Sequence, residues 1–560
     1  MGARSLRRAR SEDHIPRWQP QLGVALFSAQ RGWFEPETGD EGHRAQPGFV
    51  GDLCDSSSSG QRGGGHAASR ERCLLDERGS STGVLRRLSG VGFRAGAHGG
   101  VQLISPRRST TRVSRLLWLL MAGSLSVGYA HAQTSSSSPP MGWSAWDAYG
   151  ASVSEADFRA NAAQMAKLRS YGWQYAMLDY GWYIAYPENA HSSKTYAWDA
   201  SGRLIPEIER FPSADGGKGF KRLADWLHAR GLKLGIHVML GIPRQVVELN
   251  LPIAGSAFHA TEAADAAQTC SWDGEFQVVK DNAAGQAYYD SIARLYADWG
   301  VDLIKLGCVA DHPFHASEIR QMSLAIRRSG RAMLLSLSPG PLPADYLAHV
   351  TDDAQMWRIA PEHWDTWRTP PGPNGFPVGL REEFDLLAQA AGETEAGGFV
   401  DPDALADGWL APHPPWGGPR YTRLTQEEQR SEIALWAFAR APLIEGANLT
   451  RTDRSLRRLM TQRDLIGIDQ HSLSSVPIQN LPADLKSMRV WVAHTSDRST
   501  YVGFFNLDDQ RSDSLVMWKH LGLAGQVHRI RNVWTGLHSK STDGIQLNVS
   551  PHGCVVFQVD

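Results

Sequence analysis

The stretch Ile292-Ala293-Arg294-Leu295-Tyr296-Ala297-Asp298-Trp299-Gly300-Val301-Asp302-Leu303-Ile304-Lys305-Leu306-Gly307 decides the fold. Ile292, Leu295, Tyr296 and Trp299 share one helical face. Gly300 stops that helix, and residues 301–306 follow at once as a short apolar strand. A helix delivered by one turn into a buried strand is half of an α/β repeat. The same unit recurs along the chain, with apolar runs at 142–146, 175–179, 232–238, 301–306, 332–337, 355–359, 398–400 and 441–444. Amphipathic segments separate them; Phe220, Leu223 and Leu227 fall on one face before Gly231, for example. Eight such units in about 310 residues predict a (β/α)8 TIM barrel with its active site at the carboxyl ends of the strands. The barrel is expected over 139–474. A doubly wound sheet is the alternative, but no glycine fingerprint for a dinucleotide is present. From about residue 475 the texture changes: runs at 489–494, 500–506, 527–533 and 553–559 read as strands with no long helix between them. They predict a C-terminal antiparallel β domain over 475–560.

In a barrel, the residues just past each strand line the pocket. Here the first two strands lead into Trp143, Trp146 and Asp147, then Asp179, Tyr180 and Trp182. His237 closes the third strand; Lys305, Cys308 and Asp311 surround the end of the fourth. Trp357, Arg358, Glu362, Trp364 and Asp365 follow the sixth, and Asp401 and Asp403 the seventh. Tryptophan rings stack on pyranose faces and charged groups take hydroxyls, so this mouth suits a carbohydrate partner. Paired carboxylates are also what glycoside hydrolysis requires. His237 fits either a core residue or a ligand, and Asp401 and Asp403 fit either the pocket or a turn and helix cap. Asp302, inside the strand run, reads as structural. His312 and His315 lack a convincing ligand set, so no metal and no cofactor is expected.

Apolar residues make up 42% of the 560 and charged residues 21%, which excludes a mainly disordered chain. The 57 basic and 59 acidic residues give −2, no reason to expect nucleic acid. No apolar run reaches the roughly 18 residues of a membrane span. The oligomeric state is not legible. Residues 1–133 hold 18 Arg, no Lys and 11 acidic residues, and the first lysine is Lys167. That bias reads as an unstructured or mis-assigned extension over 1–112, with translation starting near 113 or 121. Over 113–132 the pattern is a secretory signal peptide: Arg107, Arg108, Arg112 and Arg115, an apolar run at 116–127, then Ala130-His131-Ala132. A basic extension followed by a buried helix is the alternative. Export to a periplasm or the outside is therefore expected, with cleavage near Ala132. Beyond that point Cys270, Cys308 and Cys554 allow at most one disulfide; a Cys270–Cys308 bridge and a buried Cys308 thiol are both open.

Several motifs, in order, resemble glycoside hydrolase family 27, the α-galactosidase or melibiase family. Pro140-Met141-Gly142-Trp143-Ser144-Ala145-Trp146 is similar to its opening strand, and Leu178-Asp179-Tyr180-Gly181-Trp182 to its Asp-Asp-Gly-Trp segment. Residues 299–305 resemble the approach to its nucleophile, Met356-Trp357-Arg358 its strand-six motif, Asp401-Pro402-Asp403 its Asn-Asp-Pro-Asp-Met turn, and 435–449 its last barrel strand. The resemblance covers about 139–560 and implies a barrel, a C-terminal β-sandwich, and retaining hydrolysis of terminal α-galactosides by two carboxylates. Trp146, Asp179, Lys305 and Arg358 stand where the family uses them for the sugar, with Tyr180 and Trp357 as further substrate-binding candidates. The departures are specific. The family's nucleophile is an aspartate two residues past the strand-four lysine; this chain has Gly307, which cannot form a glycosyl-enzyme bond. The acid/base aspartate is replaced by Glu362, and the second sugar-binding aspartate by Tyr180. Three readings follow: a glycosidase with Glu362 and Asp311 as a rearranged catalytic pair; a sugar-binding pseudoenzyme; or a glycosidase for a related sugar such as a β-L-arabinopyranoside.

Overall fold

A computed structural model describes residues 137–185, 187, 195–310, 314–371, 376–391, 398–411, 418–523 and 528–560. The expected extension, the signal peptide and Asp311 lie outside the described residues. Eight strands form one parallel sheet: β1 (Met141–Ser144), β2 (Tyr175–Leu178), β3 (Lys233–Met239), β4 (Leu303–Gly307), β5 (Leu334–Leu337), β6 (Met356–Arg358), β7 (Phe399–Asp401) and β8 (Leu443–Glu445). Each pairs with the next in sequence from β1 to β7, and β8 pairs with β1. Closure comes just past β7, where Leu405 pairs in parallel with Glu445. Leu405 N donates to Ile444 O at 2.8 Å and Gly446 N to Leu405 O at 3.0 Å. This is the expected barrel, with strands within a few residues of the sequence reading.

The helices that fill the crossovers carry their own signals. Helix α1 (Glu155–Met165) starts in a capping box between Ser154 and Asp157. Next comes α2 (Lys221–His228), which buries Leu223 and Leu227. Helix α3 (Ala283–Trp299) is capped by Asn282 and ends at Gly300, whose φ of 85° is the left-handed stop that the opening stretch called for. Helices α4 (Ala316–Ser329), α5 (Leu380–Gln389) and α6 (Gln426–Ala439) follow β4, β6 and β7. Asp302 ties strand bases together, with Oδ2 on His228 Nε2 and Leu234 N and Oδ1 on Arg331; it is structural, as read.

One insertion was not legible. After β3 the chain makes a three-stranded antiparallel sheet from Ile242–Pro243, Ala264–Thr269 and Phe276–Val279. Its runs are only two to six residues long, and the longest, Ala264–Thr269, is partly exposed and mostly small or polar, so they give no strand pattern.

Beyond the barrel lies a β-sandwich. One sheet orders β9 (Ser472–Pro477), β10 (Met488–Thr495), β11 (Thr500–Asn506), β16 (Cys554–Val559), β13 (His528–Asn532) and β14 (His538–Ser541). The other pairs β12 (Ser512–Met517) with β15 (Gly544–Val549). Val490, Val492, Val502 and Phe504 face Val516, Ile545 and Leu547 inside the sandwich. Their neighbours Trp491, Ala493 and Phe505 point the other way, into the core that also holds the barrel helices. Strands β9, β12, β14 and β15 escaped the sequence reading because polar, partly or fully exposed residues interrupt or replace their apolar runs.

Candidate active site

The period of two along each strand decides what enters the barrel. Tyr175, Met177, Leu303, Leu334, Met356 and Ile444 form its interior cluster. The same parity, continued to the carboxyl ends, brings in Asp179 on β2, His237 on β3, Lys305 and Gly307 on β4, and Arg358 on β6. Trp357 has the opposite parity. It is 1% exposed, packs on the backbone of Gly398 and belongs to the outer core. Trp357, expected from the sequence to bind substrate, is thus placed on the opposite face of β6 from Arg358.

Two charged pairs set the field. Lys305 Nζ bonds Asp179 Oδ2 at 2.8 Å, and Asp179 also accepts from Ser144 Oγ at 3.1 Å and Tyr180 N at 2.8 Å. Burial would raise the Asp179 carboxyl, but Lys305 and then His237 outweigh it and hold it well below the usual range. Burial likewise opposes the Lys305 charge, and Asp179 and Asp403 overcome it, so the ammonium titrates above its ordinary value. Arg358, buried, gives Nη2 to Asp403 at 2.8 Å and to Pro361 O at 2.6 Å.

Glu362 stands beside the second pair. Its Oε2 accepts from Trp364 Nε1 at 3.2 Å. Burial and the Asp403 charge raise its pKa, against the pull of Arg358. A carboxyl whose pKa is raised toward the working pH is suited to giving up a proton in the reaction. Asp365 is not part of this wall: it is buried under Arg420 and Arg423.

Three more carboxyls at or past strand ends gather here, of which Asp401 and Asp403 also fitted a turn and helix cap in the sequence. Asp403 caps no helix; it sits at φ 89°, where a non-glycine backbone is strained, and its Oδ2 also accepts from His363 N at 3.2 Å. Asp401 Oδ1 holds the Asp403 N–H at 2.9 Å, and burial raises its pKa. Asp147 is buried; desolvation, Asp403 and Glu362 raise its carboxyl strongly. Strand-end position was the available signal for all three; only the closed barrel shows that they share one field.

An aromatic wall completes the pocket. The Tyr180 ring meets Trp146, Tyr183, His237 and Trp272 edge-on, at 5.2–6.3 Å between centroids. Its hydroxyl donates to Asp273 at 2.7 Å. Cys270 and Cys308 form a disulfide, with Cα atoms 6.0 Å apart, that ties the loop after β4 to the inserted sheet. Cys554 is a buried free thiol.

Comparison with known proteins agrees with this arrangement. The profile of the family "Alpha galactosidase A" matches residues 138–276 and 274–471. That of the "Alpha galactosidase C-terminal beta sandwich domain" matches 486–559. A β-L-arabinopyranosidase from Geobacillus stearothermophilus superposes with a TM-score of 0.70 at 33% identity, covering 77% of this chain and 97% of that one. An α-galactosidase of Oryza sativa subsp. japonica is 25% identical over 425 residues, 75% of this chain and 84% of the relative. An α-N-acetylgalactosaminidase of Gallus gallus is 26% identical over 449 residues, 75% of this chain and 92% of the relative.

Proposed function

Because the chain belongs to the α-galactosidase A family, we propose that it is an exported glycosidase that removes a terminal pyranose of galactose ring configuration. Glu362 carries the reading. It is a carboxyl whose pKa burial and Asp403 raise, beside the Arg358–Asp403 pair and in a site that also holds the Asp179–Lys305 pair. In this reading Asp179, Lys305 and Arg358 hold the sugar hydroxyls, Trp146 and Tyr180 line its apolar face, and Glu362 protonates the leaving oxygen. Asp311, the other carboxylate expected from the sequence, is outside the described residues and adds no support.

Of the two sugars, the β-L-arabinopyranoside is favoured over the α-D-galactoside. The two share ring stereochemistry, but arabinopyranose lacks the hydroxymethyl group. Tyr180 stands where the family resemblance implies a hydroxyl-binding aspartate, and it turns its own hydroxyl to Asp273. A ring edge there accepts a bare ring carbon better than a polar arm. The arginine-flanked apolar run before Ala132 and the Cys270–Cys308 bridge support export.

The second reading, a sugar-binding protein without turnover, is favoured by Gly307. The test is direct: residues 133–560 are assayed on nitrophenyl β-L-arabinopyranoside and nitrophenyl α-D-galactoside, with arabinose and galactose binding followed by calorimetry. Turnover of both, faster on the arabinoside, is the expected result. Binding without turnover supports the second reading, and neither binding nor turnover rejects both.

A further inference from the structure

We propose that His237 is the base of an inverting hydrolysis, acting from the seat that Gly307 leaves without a side chain. This rests on the glycosidase reading above. His237 and Met239 point into the barrel beside Lys305 and Gly307, their register partners on β4. A Cβ built on Gly307 would overlap His237 Nε2, come within 2.5 Å of its Cε1 and lie 3.2 Å from Met239 Sδ. The edge of the imidazole therefore occupies the space that the first carbon of any side chain at 307 would need.

Buried ring nitrogens are normally hydrogen-bonded. His237 is 5% exposed, yet Nδ1 has no hydrogen-bond partner among the described residues. An unpartnered buried Nδ1 is shared with His363 and His528; what sets His237 apart is its place on the inner face of the barrel beside Lys305 and Gly307. The ring meets Tyr180 edge-on at 5.8 Å, and the charged groups acting on it are Asp179 and Lys305. Burial, assisted by Lys305 and opposed by Asp179, pushes its pKa down to about 4. The ring is thus neutral above that pH, with the basicity of a carboxylate, the group that inverting glycosidases use to activate water.

Among the described residues, two nearby carboxylates are already engaged. Asp179 is committed to Lys305. Asp403 is held by Arg358 and by the backbone of His363, the residue next to Glu362, so it belongs to the donor's side. The step balances as follows. A water lies between His237 and the anomeric carbon. As its oxygen bonds to that carbon, its proton passes to His237 Nε2. The glycosidic bond breaks, its electron pair stays on the leaving oxygen, and that oxygen takes the proton held by Glu362. Asp179 faces the imidazolium so formed. Solvent returns the proton from His237 to Glu362, and the sugar leaves with inverted configuration.

The same geometry makes G307D alone a poor restoration of a nucleophile, because the new side chain meets His237. The test uses the parent, H237N and G307D/H237A on nitrophenyl β-L-arabinopyranoside, with the first-formed anomer read by proton NMR and arabinose binding by calorimetry. The inverted anomer is expected from the parent. H237N is expected to lose about 100-fold or more in kcat/KM, to bind arabinose within about threefold of the parent, and to lose the acid limb of the pH profile near 4. G307D/H237A is expected to give the retained anomer. A retained anomer from the parent, or H237N within about threefold of parental activity, overturns the proposal. So does a D311N variant that abolishes turnover while H237N does not. A parent that binds arabinose but turns over neither sugar instead overturns the glycosidase reading on which this rests.

Discussion

At the scale of single residues, the site is a set of buried charges that hold one another. Lys305→Met would leave Asp179 charged and 4% exposed without its partner. Breaking a buried pair in this way costs about 3–5 kcal/mol, so chemical denaturation at neutral pH is expected to show a loss of that size together with lost sugar binding. The sign with pH follows from the shifts. Asp179 is held low in the fold, so its contribution is present above about pH 4 and is lost as pH falls further. Lys305 is held high, so its contribution is present below about pH 10.4 and is lost as pH rises further. Trp357→Phe is expected to cost about 1–3 kcal/mol and leave KM unchanged, because the ring fills the outer core; a raised KM would return Trp357 to the pocket. Asp179, Lys305 and Arg358 were legible as polar residues ending apolar strands. The side that Trp357 takes was not legible, because adjacent strand residues face opposite sides and a three-residue strand does not reveal its parity. Asp147, His237 and Asp403 were visible as strand-end residues, but their common field needs the closed barrel.

At the scale of elements, the strands and helices of the barrel were legible because their signals agree. Apolar runs, 3.6-residue periodicity and glycine stops all point to the same units. The inserted sheet after β3 was not, and it matters, since it carries Asp273 against Tyr180 and Cys270 against Cys308. The bridge joins residues 38 apart, and removing such a bridge costs about 2–4 kcal/mol. Cys270→Ser/Cys308→Ser is therefore expected to unfold at lower denaturant. It is also expected to raise KM more than it lowers kcat, because the wall touching Tyr180 loosens. Thermal and kinetic measurements on the purified variant check both, and an unchanged KM would detach the inserted sheet from substrate binding.

At the scale of the whole molecule, barrel and sandwich share one core. Phe505 on β11 packs edge-on against Phe384 of α5 and Phe438 of α6, and Arg489 pairs with Asp385 at 2.8 Å. The change of texture near residue 475 located the second domain, but nothing in the sequence showed that one face of its larger sheet is spent on the barrel. The fold also buries carboxyls that the proposed chemistry does not use. Burial pushes Glu318 and Glu383 up to about 8, and raises Glu432, Asp407 and Glu445. The folded chain then binds protons that the unfolded chain has released above about pH 4.3, so stability is expected to fall as pH rises from there to about 8. Urea unfolding at a series of pH values checks this; a flat or rising trend would contradict it. The central claim is that Glu362 protonates the leaving group of a terminal glycoside. It is tested most directly by comparing the parent with Glu362→Gln on two aryl β-L-arabinopyranosides, one with an activated nitrophenyl group and one with a poor methoxyphenyl group. A loss of about 100- to 10,000-fold on the poor leaving group, and a much smaller loss on the activated one, is the expected result. Equal losses on both, or none, would contradict it.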